Sequence, residues 1–163
     1  MLSFIRLGAA ALLLALAGNV PATAASWHLY AAPDGRFSVL FPVPPDVTPD
    51  SGNAQQITSS PNDHETYIVE YTPFDGSREY MSDKLFAAAK GSFTNGGGTI
   101  LEVDAHNVLG HPAQDVEIRT KEGYIAWDRL MAVGDRVYQL LYISDHEDGT
   151  RPQYFWNSFR LNN

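Results

Sequence analysis

The sequence predicts an α+β domain, a mostly antiparallel sheet of about six to eight strands with two helices packed on it. Three observations support this prediction. Segments with alternating apolar residues follow one another with short turns between them, most regularly from residue 113 to residue 144. Two further segments repeat their apolar residues every three to four positions, a pattern typical of helices that pack on a sheet. The chain of 163 residues has room for a single domain.

The first 25 residues are predicted to be a signal peptide rather than part of the fold. Arg6 supplies a positive start, Leu7–Ala17 is an apolar run, and Ala22–Ala25 offers small residues for a peptidase. The run is shorter than the roughly 20 apolar residues that a membrane-spanning helix needs. We therefore expect residues 26–163 to be one secreted, periplasmic domain with no membrane anchor after cleavage.

The composition excludes several classes of protein. The chain contains no cysteine, so it forms no disulfide, has no thiolate metal ligand and has no cysteine nucleophile. Its formal net charge is −8, and the predicted signal peptide carries one arginine and no acidic residue, so the exported part is more acidic still. Because clusters of Lys and Arg are needed to hold phosphate backbones, we expect no nucleic-acid partner.

The N-terminal half is predicted to consist of strands. An apolar stretch at Trp27–Ala31 and a Pro-Asp-Gly turn precede a strand at Phe37–Phe41. Residues 42–54 form a proline-rich connection, since proline cannot donate into a ladder. Gln55–Ser60 is predicted to be a weak edge strand and His64–Thr72 a stronger strand.

Two segments are predicted to be helices. The first begins after Ser77 as N-cap, ends at the three glycines of residues 96–98, and has an apolar face formed by Met81, Leu85, Phe86, Ala89 and Phe93. The second closes the chain. It begins with the capping-box pattern of Thr150 and Gln153, and Phe155 and Phe159 form its apolar edge.

The region between the helices is predicted to be a meander of consecutive strands. Its predicted strands are Ile100–Ala105, Ala113–Lys121, Tyr124–Val133 and Arg136–Ser144. A turn at Gly110–Pro112 precedes the last three strands, and two-residue turns at Glu122-Gly123 and Gly134-Asp135 connect them.

Four segments together resemble the PsbP/Mog1-like domain family, especially its exported bacterial members. They are the run Asp34–Pro42 with Pro44 and Pro45, the turn Leu109–Pro112, the run Arg129–Leu140, and the closing Phe155–Phe159. The resemblance covers nearly all of residues 26–163 and implies the fold predicted above. Its name-giving members are an extrinsic subunit of photosystem II and a regulator of a nuclear GTPase. The resemblance implies an accessory role without catalysis, and it names no partner for this chain.

The best metal-like grouping in the sequence is Asp104, His106 and His111, with Asp115 across a turn. Imidazole and carboxylate groups suit divalent ions, and residues 104 and 106 share one face of a strand. The spacing matches no zinc motif, so a turn without metal is the competing interpretation.

The sequence contains no catalytic motif: it has neither a G-x-S-x-G elbow nor a phosphate-binding glycine loop. Acidic and basic residues of the meander are predicted to form exposed cross-strand pairs, namely Glu117 and Asp128 with Arg119 and Arg129. A buried Arg129 beside Trp127 would instead be an anion or carboxylate clamp. Aromatic residues are predicted to form the core and its rim rather than a ligand groove, and they are Tyr67, Tyr71, Tyr124, Trp127, Tyr138, Tyr142, Tyr154 and Trp156.

The function predicted from the sequence is a secreted, non-catalytic accessory or binding domain that uses no cofactor. Its partner would be an envelope protein or a small ligand. Two alternatives stay open. One is a periplasmic divalent-metal-binding protein, and the other is a small hydrolase whose site is assembled from dispersed residues.

Overall fold

The computed structural model describes residues 27–49, 55–73, 78–146 and 150–162. The described residues form ten strands and two helices. They are β1 His28–Ala31, β2 Phe37–Phe41, β3 Asp46–Pro49, β4 Gln55–Asn62, β5 Glu65–Pro73, α1 Arg78–Asn95, β6 Thr99–Val108, β7 His111–Arg119, β8 Ile125–Val133, β9 Arg136–Ser144, α2 Thr150–Ser158 and β10 Arg160–Leu161.

Seven strands form one antiparallel sheet in the order β3-β4-β5-β9-β8-β7-β6, and β1, β2 and β10 form a smaller sheet. The predicted α+β class with a mostly antiparallel sheet and two helices is therefore confirmed. β3 was predicted to be part of a connection. It forms because Asp46–Pro49 pairs with β4. The prolines of this segment predicted a connection, and the sequence of the segment alone does not reveal its partner strand.

The predicted meander is present as β6 to β9, but two of its turns differ from the prediction. The β6–β7 loop consists of Leu109 and Gly110, because His111 already pairs with Val108. The β7–β8 loop has five residues, Thr120–Tyr124, rather than two. Thr120 donates its amide to the Tyr124 carbonyl at 2.8 Å, and Gly123 takes a φ of +92° to close the turn.

The first face of the large sheet is covered by the small sheet and α2. Side chains from β5, β8 and β9 pack there against Phe37, Val39 and Phe41 of β2 and against Phe155 and Phe159 at the chain's end. The rings meet mostly edge to face; for example, Phe37 and Tyr138 have centroids 5.5 Å apart at 74°. This layer is the main core of the protein.

The second face of the large sheet is covered by α1. Phe86 packs with Leu130 and Val137, and Phe93 packs on a cluster around Ile118. The helix has 18 residues and begins at Arg78, the position directly after the predicted N-cap. It ends as predicted in the glycine run, where Gly98 donates to the Phe93 carbonyl at 3.0 Å. The predicted N-cap Ser77 and the side chains of Met81, Leu85 and Ala89 lie outside the described residues.

Candidate functional site

An acidic cavity opens on the first face of the large sheet, between β6, β7, β8 and the start of α2. Its volume is about 220 Å³. Two indole rings and four carboxylates dominate its lining: Trp127, Trp156, Glu102, Asp104, Asp115 and Glu117. We call it the acidic cavity below. Among the described residues that line it, none carries a positive charge.

Strand register explains why these carboxylates meet. In the β6–β7 ladder Glu102 lies directly opposite Glu117, and Asp104 lies directly opposite Asp115. Like charges directly across a ladder destabilise the pairing of the two strands. Glu102 and Asp104 form one acidic row on β6, and Glu117 and Asp115 form a second row on β7. Together the two acidic rows concentrate negative charge on one face of the sheet.

Helix α2 forms the wall of the cavity opposite the carboxylates. Pro152 and Gln153 from its first turn and Trp156 one turn later line the cavity. Trp156 is held in place because its indole Nε1 donates to the Leu140 carbonyl at 3.1 Å. Trp127 is also fixed, since its ring stacks on Tyr142 with centroids 5.4 Å apart. Both walls are thus preformed.

Arg129 binds Asp115, one of the carboxylates that line the cavity. The guanidinium donates two hydrogen bonds to the carboxylate, Nε to Oδ1 at 2.7 Å and Nη2 to Oδ2 at 2.6 Å. Its carbon Cζ also lies 4.3 Å from the Trp156 ring centroid, a cation–π contact. The Arg129 side chain is only 11% exposed, so this clamp is a rigid part of the site.

Arg129 is buried and holds a carboxylate, but its partner is Asp115 of this chain rather than the predicted Glu117. The predicted exposed pair of Asp128 with Arg119 is wrong, because the β7–β8 register puts these two residues on opposite faces of the sheet. Adjacent residues of a strand point to opposite faces, so Arg129 faces the cavity and Asp128 faces α1. Asp128 accepts a hydrogen bond from Gln139 Nε2 at 2.9 Å and is fully buried. Burial raises the pKa of Asp128 to about 8; the Gln139 hydrogen bond opposes this rise, and the charges of Asp115 and Glu70 add to it.

The predicted metal-like grouping is brought together only in part. His106 lies between two carboxylates, with Nδ1 3.4 Å from Asp104 Oδ2 and Nε2 3.4 Å from Asp115 Oδ2. His111 begins β7 opposite Val108, which places it diagonally across the ladder from His106. Within the described ranges, no group of three or more His, Cys, Asp or Glu side chains is placed to hold a metal ion.

A second polar cluster lies at the far end of β5 and β9. Asp145 contacts His64 Nδ1 at 2.6 Å and His146 Nε2 at 3.3 Å. All three side chains are more than a third exposed. The cluster joins two turns. We interpret it as surface pairing that ties the β4–β5 turn to the end of β9.

Sequence analysis missed the part that α2 and the β6–β7 rows play in the site. The pattern of Thr150 and Gln153 predicted the start of a helix, but it did not show what that helix would cover. The aromatic residues behave mostly as predicted: Tyr67, Tyr71, Trp127, Tyr138, Tyr142 and Trp156 are buried. Trp127 and Trp156 line the cavity in addition to packing. The alternation of Glu102 with Asp104 was the one local signal of the carboxylate rows.

No helix among the described residues is both long enough and apolar enough to span a membrane. No family model and no curated protein matches the chain.

The chain is similar in structure to two known proteins. Cyanobacterial PsbP (CyanoP) from Synechocystis sp. PCC 6803 matches with a TM-score of 0.60 and 11% sequence identity, over 90% of this chain and 99% of that protein. The Ran-binding protein Mog1p of Saccharomyces cerevisiae matches with a TM-score of 0.52 and 11% identity, over 85% of this chain and 96% of that protein. At such identity the likeness shows the fold alone, and it confirms the fold that the four sequence segments predicted.

Proposed function

We propose that this chain, which has the PsbP/Mog1-like fold, is a secreted, periplasmic accessory domain that binds a protein partner without catalysis. The fold supports a non-enzymatic binding domain in general, and one structural neighbour is a Ran-binding protein. The observation that carries the proposal is the acidic cavity with its preformed walls. A recess whose two indole rings and one carboxylate, that of Asp115, are held in place is suited to recognition.

The lining of the cavity favours recognition over nucleophilic chemistry. In the described part of the chain, its side chains include no Ser, Thr, Lys, Cys or His. The two hydrogen bonds from Arg129 hold the Asp115 carboxylate in one orientation. No described group favours the hydrolase alternative over binding.

The partner is tested by isolating the protein from its native envelope at its natural abundance. We expect it to elute from a sizing column with one stoichiometric partner, identified by mass spectrometry. The matched control is an Asp128→Asn variant, which changes a buried carboxyl on the face covered by α1, away from the cavity, and should keep the partner. Elution of the wild-type protein alone from freshly prepared envelope would contradict the proposal.

Export is tested by mass spectrometry of the protein from the periplasmic fraction. We expect a mature chain that lacks about the first 25 residues, because the leader has the features that signal peptidase recognises. The control is a Leu12→Arg variant, whose charge interrupts the apolar run and should leave the chain uncleaved in the cytoplasm. Recovery of a periplasmic protein that still starts at Met1 would contradict cleavage.

The second candidate function is divalent-metal binding at Asp104, His106 and His111. It is favoured by the position of His106 between two carboxylates and by its Nδ1, which has no hydrogen-bond partner among the described residues. The test is calorimetric titration of chelator-treated protein with zinc, copper and manganese, with His106→Gln as the matched variant. Micromolar binding that is lost in the variant would support this function, and the absence of micromolar binding would remove it.

A further inference from the structure

Strand β6 is a long free edge of the large sheet. It has ten residues, and within the described part of the chain no strand pairs with its outer side. The opposite edge, β3, has four residues and ends at Pro49, so it offers little for another strand to pair with. Residues 99–108 contain no proline. Of the two edges of the described sheet, β6 therefore offers the longer row of unpaired backbone donors and acceptors.

The two faces of β6 differ in chemistry. On the first face Glu102 and Asp104 open into the acidic cavity. On the second face Val103, opposite Val116, is 40% exposed, and the unpaired bulge residue Leu101 is 45% exposed. A strand added to this edge would alternate in the same way, with one set of side chains above the carboxylates and the other above Val103.

Charge selects what can pair with this edge. A second copy of β6 would bring its own Glu102 and Asp104 against the same carboxylates, and like charges on adjacent strands oppose pairing. A segment with Lys or Arg at alternate positions would instead relieve the repulsion between the two acidic rows. A strand added about 4.8 Å beyond β6 leaves the cavity within reach of a long Arg or Lys side chain on that strand.

We propose that β6 is the docking edge for an extended, basic segment of the protein partner. The segment adds an eighth strand to the large sheet and places a Lys or Arg side chain in the acidic cavity between β6 and α2. Backbone hydrogen bonds along β6 provide affinity, and the carboxylates of Glu102 and Asp104 provide specificity for the cation. This inference rests on the proposed function, because it names the chemistry of the protein partner.

The test measures binding of synthetic ten-residue peptides to residues 26–163 by calorimetry. The probe alternates Arg and Val, and its counterpart alternates Glu and Val. Two further probes carry the Arg-Val sequence with N-methyl groups on one or the other alternate set of residues, which keeps their charge but removes backbone donors. We expect the Arg-Val peptide to bind, the Glu-Val peptide not to bind, and at least one N-methylated peptide to bind about tenfold more weakly or worse.

Matched protein variants separate specific pairing from general attraction. The double variant Glu102→Gln/Asp104→Asn removes two charges at the cavity, and Asp63→Asn/Glu122→Gln removes two at exposed turns. We expect a loss of about tenfold or more in the first and little change in the second. Equal affinity in both variants, or equal affinity for all Arg-Val peptides, would overturn the inference.

The failure of this inference can be distinguished from failure of the proposed function. If the native partner co-elutes equally with wild-type protein and with Glu102→Gln/Asp104→Asn, the protein is a binding domain that uses another surface. If no partner co-elutes with the wild-type protein, the proposed function itself fails.

Discussion

At the scale of single residues, Asp128 stands out because a carboxyl group that normally contacts water is completely buried. Its side chain is fully buried on the face covered by α1, and its Oδ1 has no hydrogen-bond partner among the described residues. With a folded-state pKa of about 8 against an ordinary value of 3.8, the carboxyl is protonated in the folded protein at neutral pH. The folded state then binds more protons than the unfolded state between these two values.

Stability should therefore fall as pH rises from about 4 to about 8, by up to roughly 1.4 kcal/mol per pH unit. The stabilising effect is fully present below the unfolded pKa and is lost as pH passes the folded pKa. Asp128→Asn resembles the protonated carboxyl in shape and should remove this dependence. Urea unfolding at pH 4 and pH 8 checks this, with similar stability expected at pH 4 and a more stable variant at pH 8.

The exposed Asp63→Asn change is the control for Asp128→Asn, because it removes the same charge from a turn. A wild-type stability that does not change between pH 4 and pH 8, or a control that shifts as much as Asp128→Asn, would contradict the burial of an unpaired carboxyl.

Leu109 is a residue in a conformation that suits it poorly. It takes a φ of +51° at the tip of the β6–β7 hairpin, next to Gly110 at +80°, and it is 51% exposed. Two successive positive φ angles favour Asn-Gly, since a left-handed conformation costs most residues about 1–2 kcal/mol. Leu109→Asn should stabilise the protein by about 1 kcal/mol, measured as a higher urea midpoint at an unchanged m-value.

Leu109→Ala is the matched control for the turn, because alanine removes the exposed apolar surface but keeps the unfavourable Cβ. It should change stability little. Equal stabilisation by alanine and asparagine would mean that the exposed apolar surface of Leu109, and not its backbone conformation, lowers the free energy of unfolding of the wild-type protein.

At the scale of elements, two ion pairs join the turn before β2 to the turn before β9. Arg136 contacts Asp34 at 2.5 Å and is only 14% exposed, whereas Arg36 contacts Asp135 at 2.6 Å with both side chains largely exposed. Arg136 also lies 4.6 Å from the Tyr71 ring centroid. Partial burial raises the pKa of Asp34, but the hydrogen bonds from the Arg36 amide and from Arg136 lower it more.

Double-mutant cycles should distinguish these two pairs. The cycle of Asp34→Asn with Arg136→Gln should give a coupling of about 1 kcal/mol, and the cycle of Arg36→Gln with Asp135→Asn should give a clearly smaller coupling, because solvent screens the exposed pair. Because the folded-state pKa of Asp34 lies below its unfolded value of 3.8, its contribution is present above that pH and lost as pH falls below it. A larger coupling for the exposed pair would contradict the roles assigned here.

The connection from α1 to β6 depends on one glycine. A Cβ at Gly98 would lie 3.0 Å from the Phe93 carbonyl oxygen and 3.2 Å from Ile118 Cγ2, whereas a Cβ at Gly91 within α1 would meet nothing within 4 Å. Gly98→Ala should therefore destabilise the protein by about 1–3 kcal/mol. Gly91→Ala, the control, should stabilise it by about 0.5–1 kcal/mol through helix propensity. Thermal unfolding measures both, and a shift of the same sign in the two variants would contradict this packing.

Elements defined by local patterns could be predicted from the sequence, and those defined by distant partners could not. The meander β6 to β9 follows from alternation and short turns, which are local signals. β3 and β10 are short and become strands only by pairing with β4 and β2, which a single segment does not reveal. The predicted pair of Asp128 with Arg119 failed because it ignored alternation between faces, since one residue of register exchanges every side chain between core and surface.

At the scale of the whole molecule, the site arises where two separate parts of the chain meet. The acidic rows come from β6 and β7, but the recess exists only because α2 returns across the same face. Sequence analysis could find the acidic residues and the helix separately. It could not place one over the other, because their contact depends on the packing of Phe155 and Phe159 into the main core.

The central claim is that the protein binds its partner along β6, and hydrogen exchange of the backbone amides tests it most directly. Exchange is measured with and without the Arg-Val peptide, or with the native partner once isolated. We expect slower exchange in residues 99–108 and in the first turn of α2, with exchange in β3 unchanged. Protection confined to other strands, with β6 exchanging as fast as in the free protein, would contradict it.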